Sequence, residues 1–306
     1  MKKIILILIV IFFLLSCSSS KQIYLFTSFR EPATEGLRLA YSKDGYQWEN
    51  LTATYLKPEL GSSDSKIMRD PSIVKGKDGV YHLVWTTEWR GGNGFGYASS
   101  KDLIHWSKQE YISVMKNEPE VVNVWAPEIF YDEDADNYII IWASTIPFRY
   151  EKGQEEEKNN HRMYYVTTKD FKTFSEAKLF FEPGFSVIDC VLIKRAQNDY
   201  ILVLKDNTRP NRNIKVAFGK SPLGPFENIS EPFTDYLSEG PTVLRKNKDW
   251  LIFYDNYGAK NYKAAKTSDF KTFEDVSNQI TLPEGHKHGT ITTISKKILR
   301  GLIEKR

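Results

Sequence analysis

A seven-residue pattern, Ser/Thr-x-Asp-x-x-x-aromatic, returns along this chain at long and fairly even intervals. It runs from Ser42 to Trp48, from Ser100 to Trp106, from Thr168 to Phe174 and from Thr267 to Phe273. A degraded copy has Pro222 where the Asp belongs and ends on Phe226. The five rings are separated by 58, 68, 52 and 47 residues. Repeats with periods near 50 residues belong to propellers and arrays rather than to a single core wound once. The local physics fits a turn between two strands. The Asp side chain bonds to the backbone ahead of it and opens the turn, and the ring then anchors the next strand.

Apolar runs of strand length lie upstream of these rings: Ile23–Thr27, Val80–Thr87, Tyr138–Ser144, Tyr200–Leu204 and Trp250–Tyr254. Four of them follow another short strand, starting at Asp70-Pro71, Pro127-Glu128, Asp189-Cys190 and Gly240-Pro241. Each repeat therefore reads as strand a, strand b, a longer loop, strand c ending in the Asp turn, and strand d. Four antiparallel strands per repeat make a propeller blade. The first repeat lacks its strand a, and the segment His288–Ile294 near the C-terminus has the composition to supply it. The expectation is an all-β, five-bladed β-propeller over 23–295, closed by pairing of the C-terminal strand with the N-terminal blade, so that no long edge stays open. Residues 296–306 are expected to form a tail or short helix. Two β-sandwiches would require the spacing of the turns to be coincidence.

The N-terminus has a different character. Lys2 and Lys3 precede twelve apolar residues, Ile4–Leu15, and then Ser16-Cys17-Ser18. That run is shorter than the about 20 residues a membrane helix needs and suits a secretory signal. Leu14-Leu15-Ser16-Cys17 resembles a bacterial lipobox, which implies a signal peptide at 1–16, lipid on Cys17 and a tether at 17–22. A lipoprotein facing the periplasm or the outer surface of the cell envelope is the corresponding expectation; an ordinary secretory signal cut elsewhere is the alternative. Removing Lys2 and Lys3 leaves 40 basic against 39 acidic residues, so the formal charge falls from +3 to +1. Near-neutrality argues against nucleic acid as a partner. With Cys17 lipidated, Cys190 has no disulfide partner and reads as a small buried core residue.

In a propeller the a strands begin at one face of the ring and converge on a central funnel, where the b–c loops also emerge. Here those starts carry Asp70, Glu128, Asp189, Glu239 and His288. Several carboxylates in one funnel suit glycosidic cleavage, in which one carboxyl group protonates the leaving oxygen and another activates water. A third nearby would raise the pKa of the acid by like-charge repulsion. The chemistry requires no cofactor. His286-x-His288 is the one candidate for a metal site, on weak spacing.

The blade starts Arg69-Asp70-Pro71-Ser72-Ile73, Val124-Trp125-Ala126-Pro127-Glu128, Val187-Ile188-Asp189 and Ser238-Glu239-Gly240-Pro241 resemble those of glycoside hydrolase family 43, as do the Ser100–Trp106 turn and the late His288-Gly289. The resemblance covers roughly 23–295. It implies a five-bladed propeller of inverting glycosidases acting on arabinofuranosides, xylosides and, in some branches, galactosides. Carried over by motif, Asp70 is the general base, Asp189 the pKa modulator and Glu239 the general acid, and Glu239, facing Asp189 and Asp70, is then expected to titrate above its ordinary value. His288 matches an axial histidine that in some members organises water or a calcium ion. Two departures stand out: Glu128 replaces the usual Asp, and Cys190 follows Asp189 where Pro is common.

Substrate contacts are expected from the b–c loops and the funnel wall: Trp89, Arg90, Trp125, Glu128, Phe148, Arg209, Tyr257 and His288. Flat rings suit the apolar face of a sugar. Glu155-Glu156-Glu157 reads as a solvated stretch. The expected partner is an oligosaccharide or polysaccharide, and the working state a monomer. Alternatives are a β-galactosidase-type member of the same family and a non-catalytic glycan-binding lipoprotein. A sialidase-like enzyme would need six blades and an arginine cluster with a Tyr nucleophile.

Overall fold

The computed structural model describes residues 22–62, 64 and 66–305. The signal peptide at 1–16, Cys17 and nearly all of the 17–22 tether lie outside the described residues.

Five four-stranded antiparallel sheets form a five-bladed β-propeller. In blades two to five the innermost strands are Arg69–Lys75, Trp125–Asp132, Val187–Ala196 and Ser238–Lys246. Each is followed by a strand b that the apolar runs marked: Tyr81–Thr86, Asn137–Ser144, Asp199–Asp206 and Asp249–Asn256. Blade one closes as its composition implies. Ile291–Ile294 pairs antiparallel with Ile23–Ser28, Leu25 lying opposite Thr292. The chain then forms a helix, Lys296–Glu304, capped by Ser295 and packed onto the blade one/two gap through Leu299 and Leu302.

The core is not central. It is divided into five clusters, one in each gap between adjacent blades. Alternation along a strand sends side chains to opposite faces: Leu83 and Trp85 fill the gap toward blade one, whereas Val84 fills the gap toward blade three. A strand b is therefore buried on both faces, and all six residues of Tyr81–Thr86 are buried. That is why these strands read as continuous apolar runs rather than alternating ones.

The Asp turns form twice over. Asp102 Oδ1 accepts the backbone N–H groups of Ile104 and His105 at 2.9 and 2.8 Å, while Ser100 Oγ accepts that of Leu103 at 2.8 Å. Asp44, Asp170 and Asp269 repeat the arrangement. The anchoring differs from expectation in part. Trp48 and Phe226 are buried, but Trp106, Phe174 and Phe273 are only half-buried. In those three turns the buried anchor is the residue directly after the Asp, namely Leu103, Phe171 or Phe270, held at a φ of 65°, 55° or 60°.

Candidate active site

The innermost strands of blades two to five share one irregularity. Pairing with strand b skips two residues: between Arg69 and Ser72, Trp125 and Glu128, Ile188 and Val191, and Glu239 and Thr242. The first skipped residue always has positive φ: Asp70 (50°), Ala126 (45°), Asp189 (52°) and Gly240 (57°). The second is Pro71, Pro127, Cys190 or Pro241. Proline fits because the ladder is already broken there and needs no N–H. Cys190, one departure from the family pattern, holds the same bulge position and is buried. Asp tolerates left-handed backbone better than most non-glycine residues, and that conformation at Asp70 and Asp189 is the bulge geometry that Ala126 and Gly240 share.

Gly240 is needed on two counts. Besides its positive φ, a Cβ there would lie 2.7 Å from Cγ of His288. Gly240→Ala is expected to lower the melting temperature by several degrees and to displace the imidazole from Asp70. A melt and a hydrolysis rate both equal to wild type would contradict this account of the bulge.

The bulges bring Asp70, Asp189 and Glu239 to one pocket of about 270 Å³, shared with His288, Lys205 and Tyr257. Asp70 Oδ2 accepts from Thr86 Oγ1 at 2.9 Å, and its Oδ1 lies 3.4 Å from His288 Nδ1. Asp189 Oδ2 accepts from the Gly240 N–H at 3.1 Å, and its Oδ1 lies 3.9 Å from His288 Nδ1. Glu239 Oε2 accepts from Lys205 Nζ at 2.8 Å.

Environment separates the three carboxyl groups. Burial acts to raise Asp70, but hydrogen bonding and attraction from His288, with Arg69 and Thr86, outweigh it and hold Asp70 below the ordinary range. Asp189 is raised, chiefly by burial, with repulsion from Glu239 and Asp70 against the pull of His288 and Lys205. Glu239 departs from the sequence expectation. Burial would raise it, but the Lys205 ammonium overcomes that and depresses it. Burial would also lower His288, yet Asp189, Asp70 and Glu239 lift it to about 9. The three surrounding carboxyl groups thus favour the protonated imidazole of His288. Among the described residues no three His, Cys, Asp or Glu side chains are grouped to hold a metal. His286 is turned away from the pocket toward Ser28 and Asn50.

One wall is aromatic and cationic. Trp89 and Trp125 lie 4.8 Å apart at 31°. The Arg69 guanidinium sits 4.8 Å over Trp89, and that of Arg90 lies 5.0 Å over Trp125. Trp125 Nε1 donates to the Trp89 carbonyl at 2.7 Å, fixing the pair, and Trp89 remains 55% exposed toward solvent.

Of the sequence-derived contacts, Trp89, Arg90, Trp125, Tyr257 and His288 line the pocket; Glu128, Phe148 and Arg209 do not. Glu128 follows its bulge instead of preceding it, and Thr290 Oγ1 donates to it at 3.2 Å. Burial pushes it up to about 7. Phe148 is 87% exposed. Arg209 turns to Glu155 and Glu156 at 3.5 and 3.6 Å. The reason is a correction of the acidic stretch: Glu155 is buried, not solvated, and draws in Arg212 at 3.0 Å as well as Arg209. Lys205 went unrecognised. Its signal was a charge ending the apolar run Tyr200–Leu204, at the register position held by Thr86, Ala143 and Asp255 in other blades.

Comparison with known proteins agrees with this architecture. Over 266 residues the sequence is 21% identical to an alpha-L-arabinofuranosidase of Bifidobacterium longum subsp. longum, covering 70% of this chain and 25% of that protein. The chain thus spans about a quarter of the length of the curated relative it matches. An alpha-L-arabinofuranosidase structure from Lactobacillus brevis superposes with a TM-score of 0.53 at 18% identity, over 69% of this chain and 72% of that one. A thermostable family-43 glycoside hydrolase gives 0.56 at 14% identity, over 76% and 80%. At such identities these two likenesses concern the fold. The sequence model of a probable glycosyl hydrolase domain, related to family 43, matches residues 20–299, and the chain belongs to that family.

Proposed function

We propose that this glycoside hydrolase inverts the anomeric centre, with Asp70 activating water, Glu239 protonating the leaving oxygen and Asp189 orienting and tuning Glu239. The observation that carries the reading is the convergence of these carboxylates, from the bulged starts of three different blades, on one pocket beside a cationic His288. Asp70 is held ionised by His288, Arg69 and Thr86 against its burial, as a base must be. Its Thr86 hydrogen bond leaves the other oxygen toward His288 and the pocket.

A volume of about 270 Å³ is small for an oligosaccharide cleft and suits one terminal sugar, which supports exo action. Trp89 and Trp125 supply a flat face beyond it. The substrate class is plant polysaccharide side chains, of the α-L-arabinofuranoside or β-D-xyloside type. The lipobox-like Leu14–Cys17 supports a location on the cell envelope through a lipid on Cys17, where such polymers arrive.

The test is a panel of 4-nitrophenyl arabinofuranoside, xyloside and galactoside, followed by proton NMR of the first product formed. The anomer opposite to the substrate's should appear before mutarotation. Inversion requires about 6.5–9.5 Å between acid and base, with a water between them. A first product of retained configuration would end the roles given to Asp70 and Glu239.

A further inference from the structure

A general acid must carry a proton when the bond breaks, yet Glu239 is hydrogen-bonded to an ammonium. Lys205 lies opposite Ile188 at the end of strand Asp199–Asp206, with its side chain 3% exposed. Its Nζ donates to Glu239 Oε2 at 2.8 Å and stands 5.0 Å over the Tyr257 ring. An ammonium has three N–H donors. Among the described residues Glu239 is the one hydrogen-bond acceptor that Nζ reaches, and Lys205 lines the pocket. Donor capacity is therefore left over where a sugar would sit.

We propose that Lys205 gates the acid: its ammonium keeps Glu239 ionised in the empty pocket and transfers to a substrate hydroxyl on binding, so that Glu239 gains its proton only in the complex. The inference rests on Glu239 being the acid. In the complex a carboxylate oxygen of Glu239 takes a proton from solvent and becomes the neutral acid. On cleavage that O–H bond breaks, the proton goes to the departing sugar oxygen, and Glu239 returns to the carboxylate that Lys205 recovers as product leaves. Lys205 is a positioning residue in this scheme. It also restrains hydrolysis-competent protonation to an occupied site.

Other charges face Glu239. Asp189, Asp70 and Asp255 approach from the inner strands of blades four and two and from strand b of its own blade, and all favour the proton. Asp255 is itself bonded to Lys287 at 2.8 Å. His288 opposes the proton, and the Tyr257 and Tyr262 hydroxyls lie nearby as neutral phenols. Arg212 is bound to Glu155 instead. Lys205 is thus the cation in direct hydrogen-bond contact with the acid, and the one whose withdrawal would most change its affinity for a proton.

Two measurements test this. The first uses the ligand-free protein and needs no activity: infrared difference titration of carboxyl bands, with Glu239→Gln identifying the Glu239 band. Lys205→Met should move its protonation upward by about one pH unit or more, a tenfold change in the proton equilibrium. The second compares pH–rate profiles on a phenyl glycoside, since kcat/KM reports the free enzyme and kcat the complex. In wild type the alkaline limb of kcat/KM should lie about one unit below that of kcat, and in Lys205→Met the two limbs should converge. If Lys205→Met does not fold, Lys205→Gln, which keeps a neutral donor, should show the same changes in smaller measure. An unmoved infrared band, or coincident limbs in the wild type, would overturn the gate while leaving the glycosidase reading intact. A moved band in a protein that cleaves no glycoside would overturn that reading and the gate with it.

Discussion

Replacing Asp70 by Asn should abolish hydrolysis of activated and natural glycosides alike, by at least the about 10²–10⁴-fold that a positioned base contributes. The substitution is close to isosteric, and an amide oxygen can still accept from Thr86 Oγ1, the 2.9 Å bond that orients the wild-type group. What it removes is the negative charge. Asp70 is held ionised against its burial by His288, Arg69 and Thr86. It is held in place by a left-handed backbone at 50°, which Asn tolerates as well as Asp. The fold should therefore survive, with a circular dichroism spectrum like that of wild type. Because water must be activated whatever the leaving group, 4-nitrophenyl and sugar–sugar substrates should lose similar factors. A variant that retained near-normal rates on either would show that Asp70 is not the base.

The charge balance makes a side effect of the same change readable. His288 owes its lift to about 9 to Asp189 first and then to Asp70 and Glu239, working against burial. Removing one of those anions lets the imidazole give up its proton at lower pH, and histidine NMR titration would follow it.

The propeller was legible because a Ser/Thr-x-Asp turn is a local device. Its hydrogen bonds all fall within three residues of Ser100 or Asp102, so the pattern survives in one dimension. The identity of the buried anchor was not legible. Leu103, Phe171 and Phe270 pack only because a positive φ swings them inward, and φ leaves no trace in residue type when the residue is not glycine. The acidic blade starts were legible as a set. Their separation into roles depended on where each stands relative to the bulge. Asp70 and Asp189 occupy the first bulge position and Glu239 the residue before it, so all three reach the pocket. Glu128 stands two residues later in the same frame and reaches Thr290 instead.

Loops were read less well, since their side chains choose partners across the chain. Arg209 looked like a sugar ligand and Glu155 like solvated charge, yet they meet across 54 positions of sequence. Burying Glu155 almost completely demands compensating cations, and Arg212 and Arg209 supply them. Lys205 was missed because the sequence assigns it to the loop after Tyr200–Leu204, whereas it is buried within strand Asp199–Asp206. Its partner Glu239 lies in the next blade, and that contact also reverses the direction expected for the Glu239 pKa.

Glu239→Gln separates the acid from the base by what the leaving group needs. A sugar alkoxide cannot depart without a proton, so natural linkages should slow by about 10²–10⁴-fold. A 4-nitrophenolate departs unaided, and there the loss should be much smaller. Gln keeps the length of Glu and an oxygen for Lys205 Nζ, now 2.8 Å from the carboxylate, so the ammonium stays bonded and the pocket keeps its shape. The substitution also removes a charge that helps raise Asp189, where burial comes first and repulsion from Glu239 and Asp70 adds to it. Any acid limb set by Asp189 should consequently move to lower pH in the variant. Rates on a matched pair, a 4-nitrophenyl glycoside and a disaccharide of the same terminal sugar, decide the matter. Equal loss on both would mean that Glu239 serves the water or the sugar ring instead, and the proton would then have to come from Asp189, the carboxyl group whose surroundings already favour its neutral form.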